Sequence, residues 1–180
     1  ANTSIANWAS STYGGSGGAN VVNHASAEKD CVLEVLSLFE EVCGLSFNVL
    51  SDASVTTADI NFWACSQMPG SLAGVSVHGG GGGVASSGVT GDTYNDVYVD
   101  TSTYGASDFN SNDGKGTWSF FLWMHEIGHS LGLGHPHDTG FGTQDMGDPY
   151  DGTSGLNYSV HSVMSYNYVA DDYSFVPGLK

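Results

Sequence analysis

The segment His125–His135, HEIGHSLGLGH, places three histidines, a glutamate and three glycines within eleven residues. In an α-helix successive residues advance by about 100°, so His125 and His129 share a face and their imidazoles can converge on one ion. Glu126 lies about 100° round from His125, near enough to reach a water on that ion without ligating it. If the helix continued, His135 would sit roughly 9 Å beyond His129, out of reach. Gly132 accepts the left-handed conformation that ends a helix, so the chain can turn back and bring His135 in from a second direction. Three neutral imidazoles around Zn²⁺ leave at least one position open to water, the layout of a catalytic zinc site and not of a closed structural one. Zinc lowers the pKa of that water to about 7. Glu126 can take its proton, the hydroxide can attack a carbonyl polarised by the ion, and Glu126 can pass the proton to a leaving amine. Histidines that merely cap or pack a helix are the plain alternative, but chance gives the whole pattern in roughly one such chain in ten thousand. A closed structural zinc site would need a nearby cysteine, and there is none.

Positioning these groups falls to a helix over about 116–131, GTWSFFLWMHEIGHSL. A second helix is expected over 26–43, with Val32, Val35, Leu36, Phe39, Val42 and Cys43 on one face. Ser26 can cap its start, Glu28 and Asp30 suit its positive end, and Gly44 stops it. Strands are expected at 3–10 (TSIANWAS), 45–52 (LSFNVLSD), 58–65 (ADINFWAC), 73–79 (AGVSVHG) and 96–104 (DVYVDTSTY). STYGGSGGAN reads as a loop, 105–114 as a polar turn region, and 136–160 as a long irregular stretch of the kind that is functional or tied down by an ion. This order of elements suggests an α+β domain, a mixed sheet with helices packed against it.

Composition narrows the partners. The formal net charge is −16 with only three basic residues, which excludes a counterion-displacing nucleic-acid binder, and anionic membranes would repel the chain. No run of about 18 apolar residues is present to span a membrane. No signal peptide is visible, and the start at Ala1 suggests a processed or trimmed form. A length of 180 residues with 40% hydrophobic content suits one globular domain. Cys31, Cys43 and Cys65 allow one disulfide and a free thiol, or three reduced thiols. Cys31 and Cys43 lie about 18 Å apart if both are in one helix, so any pair must use Cys65, with Cys31 the favoured partner.

HEIGHSLGLGHP resembles the extended zinc motif of the metzincin metalloproteases, and SVMSYNY, with Met164 and Tyr166, resembles their Met-turn. The pairing of GLGHP with SVMSY looks most like the serralysin branch, and the resemblance covers about residues 26–168. It implies zinc ligands His125, His129 and His135, Glu126 as general base, and Met164 as a hydrophobic floor. Tyr166 would swing between the zinc and the transition-state oxyanion, with ordinary aromatic packing as its alternative. The implied fold is a metzincin-type domain: a mixed five-stranded twisted sheet with one antiparallel edge strand, a backing helix and an active-site helix. Residues 1–135 would form the upper subdomain and 136–180 a largely irregular lower one. The edge strand near 73–79 would bind an extended peptide or protein substrate by strand addition. His78 at its end reads as a solvated histidine more than as a substrate contact, and the glycine run after it as a loop by the cleft or an inert connector. His137 could be a pocket wall or support a ligand, and His24 and His161 read as structural. The acidic run with Asp145, Asp148 and Asp151 could hold Ca²⁺, though a solvated loop is the commoner outcome.

The chain departs from serralysins after Tyr166. NYVADDYSFVPGLK reads neither as the closing helix nor as a repeat domain, so the sequence suits a minimal enzyme or, preferably, a fragment whose C-terminal remainder stays bound. An inhibitory propeptide would be a further partner. The expected function is that of a secreted zinc-dependent endopeptidase working through a zinc-bound water. A narrow-specificity processing peptidase, a catalytically silent zinc-scaffold binding module and a calcium-dependent adhesion domain are the rivals. The last does not explain the histidines, and a silent scaffold does not need Glu126.

Overall fold

In the computed structural model the described residues are 20–22, 24–49, 59–68, 72–78, 95–102, 116–138, 157–159 and 161–167. Apolar residues at helical spacing fold as α1 (Ser26–Cys43), which buries Cys31, Val32, Val35, Leu36 and Phe39. Ala25, not Ser26, precedes the first turn, and its N–H donates to the Glu28 carboxylate at 3.0 Å. Gly44 closes the helix in the left-handed region at φ 66°, as expected from its sequence position. Val42 and Cys43 are exposed, so the apolar face ends one turn earlier than its periodicity implies.

Four strands form one sheet among the described residues: β1 (Asn20–Val22), β2 (Ile60–Gln67), β3 (Gly74–His78) and β4 (Asn95–Asp100), in the order β1-β2-β4-β3. β2 and β4 run parallel, while β1 and β3 each pair antiparallel at the outside. Alternation along β4 sends Val97 and Val99 towards α1 and α2 (Trp118–Ser130), where they meet Val35, Phe39, Phe120, Trp123 and Ile127. Tyr98 points the other way, into a second cluster with Cys65, Met68 and Val77.

Where five strands with one antiparallel edge were expected, the described residues hold four, with antiparallel pairing at both outer strands. Residues 45–49 carry no strand. The Phe47 N–H is taken by the Glu40 carboxylate at 2.6 Å and not by a ladder partner, and while Phe47 packs against the core, Leu45 and Val49 stay exposed. β1 was not expected: three residues are too few to show alternation. The cysteines are all free, because Cys31 and Cys65 lie in the clusters on opposite faces of the sheet. The strand expected at 3–10, the glycine run, Asp145, Asp148 and Asp151, and the chain after Asn167 lie outside the described residues. Among the described residues no helix is long and apolar enough to cross a membrane.

Candidate metal centre

α2 carries the first half of the site. Its N-terminus is capped by Thr117, whose hydroxyl accepts from the Phe120 N–H at 3.2 Å. Trp123 and Ile127, four residues apart, are fully buried against the sheet and set the helix's rotation. That rotation leaves His125 and His129 together on the nearly opposite face, about 160° round. At the far end the Leu133 N–H donates to the Gly128 carbonyl at 3.0 Å and the Gly132 N–H to the His129 carbonyl at 2.9 Å. This is a Schellman ending, and Gly132 supplies its left-handed residue with φ 95°. The chain then doubles back and returns His135.

The three imidazoles meet through Nε2. His129 Nε2 lies 3.1 Å from His125 Nε2 and 3.0 Å from His135 Nε2. Each opposite nitrogen faces an oxygen: His125 Nδ1 is 2.8 Å from the Val163 carbonyl, His129 Nδ1 is 2.8 Å from the Leu133 carbonyl, and His135 Nδ1 is 2.9 Å from the Asp138 carboxylate. A carbonyl oxygen only accepts, so at His125 and His129 the ring proton sits on Nδ1 and the Nε2 lone pair faces inward; the Asp138 carboxylate favours the same tautomer at His135. Burial holds His125 and His129 at pKa values of about 4, so they stay neutral, and it lowers His135 as well, against the opposing pull of Asp138. Three inward lone pairs at this spacing repel unless a cation lies among them. Tetrahedral zinc with nitrogens at 2.0–2.1 Å would set them about 3.3 Å apart, so the donor set fits zinc. His125, His129 and His135 form a group able to hold a metal ion.

Asp138 was not anticipated. It accepts from the His135 backbone N–H and from the ring, both at 2.9 Å. These bonds outweigh its partial desolvation and keep its carboxyl below the usual range. The His-x-x-Asp spacing was visible in the chain; the turn that brings the two together was not. His135, His137 and Asp138 form a second group of possible donors. There, however, the His135 and His137 rings stack at 8° with centroids 5.1 Å apart, so their in-plane lone pairs run side by side and do not converge.

Glu126 is buried beside the histidines, and desolvation pushes its carboxyl up to about 8. Met164 is buried, with its sulfur where a side chain at Gly128 would stand: a Cβ there would come within 2.8 Å of Sδ. Tyr166 is half exposed and lays its ring against His125 (5.6 Å), His135 (4.4 Å) and His137 (5.4 Å). Between Met164 and Tyr166, the fully buried Ser165 donates to the Asn157 side chain at 2.8 Å, while the Asn167 amide donates to the Asn157 carbonyl at 2.7 Å. Asn157, also missed in the sequence, thus anchors the turn under the histidines. His24 is structural as expected, Nε2 lying 2.9 Å from the Phe62 carbonyl, and His161 is exposed. His78 ends β3, paired with Asn95.

Among curated proteins and solved structures nothing matches the chain. A family profile, that of metallo-peptidase family M12, matches residues 4–175, nearly the whole sequence and all of the histidine site. With that match joined to three convergent imidazoles, the chain belongs to metallo-peptidase family M12.

Proposed function

We propose that the chain is a secreted, serralysin-like zinc endopeptidase with Glu126 as its general base. The observation that carries this reading is the set of three Nε2 atoms, each turned inward by an oxygen behind its ring, with a buried carboxyl next to them. Zinc held there would polarise the scissile carbonyl and acidify water beside it. Glu126, raised by burial towards neutrality, is suited to take a proton at its carboxylate and return it to the leaving nitrogen. Tyr166, packed on two of the histidines, would donate from its hydroxyl to the developing oxyanion. β3 pairs with β4 along one side only among the described residues, and its outer edge would take an extended peptide as a further antiparallel strand. The strongly acidic composition and the histidine and methionine motifs support a secreted enzyme of this branch.

Casein digestion with and without chelator tests this. Cleavage should stop with chelator and return with zinc. Glu126→Ala should keep one zinc per chain and lose cleavage by about a thousandfold or more. Zinc bound with no cleavage of casein or of a peptide library would overturn the peptidase reading in favour of a silent scaffold. Cleavage of only one or a few library sequences would indicate a narrow processing peptidase.

A further inference from the structure

The general base rests on a strand that leaves a gap for it. Gly74 opens β3 opposite Val99, and the pairing puts it on the sheet face that carries α2. A Cβ at Gly74 would stand 2.8 Å from Glu126 Cγ, 2.9 Å from Oε1 and 3.0 Å from Cδ, all well inside ordinary contact. The backbone does not call for glycine: the positive-φ glycines among the described residues are Gly44, Gly116 and Gly132, and Gly74 is not one of them. Glycine inside a strand weakens it and marks a close approach by another group. Here that group is the carboxyl-bearing arm of Glu126, which is only 6% exposed. The strand cannot yield easily, because the Ala73 carbonyl beside it accepts from the Asp100 N–H at 2.8 Å. The glutamate arm can yield, by rotation.

From this contact we infer that Gly74 is a positioning residue for the reaction: its missing side chain fixes where the Glu126 carboxylate stands. The inference rests on the proposed role of Glu126. A methyl group at 74 leaves the strand and the histidines in place but moves the base by a distance on the order of an ångström, a displacement that costs about a hundredfold in rate.

The test uses Gly74→Ala in the full chain. Zinc should remain at one per chain, kcat should fall by about a hundredfold, and KM should change by less than about threefold. Unchanged kcat, or a fall that comes only with loss of zinc, overturns the inference. A second readout needs no catalysis. Melting temperatures are compared for wild type, Gly74→Ala, Glu126→Ala and the double variant. With the glutamate arm removed, alanine at 74 has room and should raise the melting temperature; with the arm present the gain should shrink or reverse. Equal shifts in both backgrounds overturn the inference. A wild-type chain that cleaves nothing would sink the peptidase reading, and this cycle would still decide whether Gly74 seats Glu126.

Discussion

Burial drives Glu126 and its neighbouring histidines to the same uncharged condition by opposite routes, raising the acid to about 8 and lowering His125 and His129 to about 4. In the metal-free protein the two effects act on stability in different pH windows. Between about pH 4 and 6.5 the unfolded histidines bind more protons than the folded ones, so stability falls as the solution is acidified. Between about 4.5 and 8 the folded Glu126 binds the extra proton, so its contribution is lost as pH rises. Above about 6.5 only the glutamate acts, and moving to pH 8 should cost up to about 2 kcal/mol. Urea unfolding of chelator-treated protein at the two pH values should show this loss, and Glu126→Gln should abolish it. Asp138 holds the His135 backbone and ring, so it would act on a bound metal through that imidazole. Asp138→Asn should weaken zinc binding about 10- to 100-fold in a competition titration. The three histidines, Glu126 and Gly132 were legible in the sequence because helical geometry over a few residues decides their arrangement. Asp138, Asn157 and Gly74 were not, since their roles depend on contacts across turns and between strands.

At the level of elements, what was local was readable. The expected span 26–43 coincides with α1, and 116–131 brackets α2. Burial on one face and a glycine at the end mark α1 without reference to the rest of the chain. The stretch 45–52 had the composition of a strand, but strand formation needs a neighbour, and in its described part, 45–49, Glu40 took one N–H group instead. α2 depends on two glycines for different reasons. Gly132 meets nothing that would clash with a Cβ, so Gly132→Ala tests conformation alone. It should cost about 1–2 kcal/mol in stability and lower zinc affinity, because the turn that returns His135 is strained. Gly128 has the reverse problem. Alanine would favour the helix by about 1 kcal/mol, but its methyl would strike the buried Met164 sulfur. Gly128→Ala should therefore lose up to about 2 kcal/mol net in thermal melts. A net gain would show that Met164 moves freely.

Across the whole molecule, a charge of −16 sets every distant carboxylate against the compact state. Raising NaCl from 10 mM to 0.5 M shortens the screening length from about 30 Å to under about 8 Å. The melting temperature should rise by roughly 2–4 °C if this relieves about 1 kcal/mol, with circular dichroism as the measure; no rise would mean the charges are already spaced beyond effective repulsion. The sheet's two faces also divide the molecule's work. Among the described residues one carries α1, α2 and the histidine site, while the other holds the cluster around Tyr98. The wall between them has a practical result for handling the protein. Cys65, whose thiol burial pushes up to about 12, and Cys31 are sealed on opposite sides, while Cys43 is open to solvent. Dithiothreitol should leave the unfolding temperature unchanged, and air-aged samples should gain covalent dimers joined through Cys43, never an internal loop.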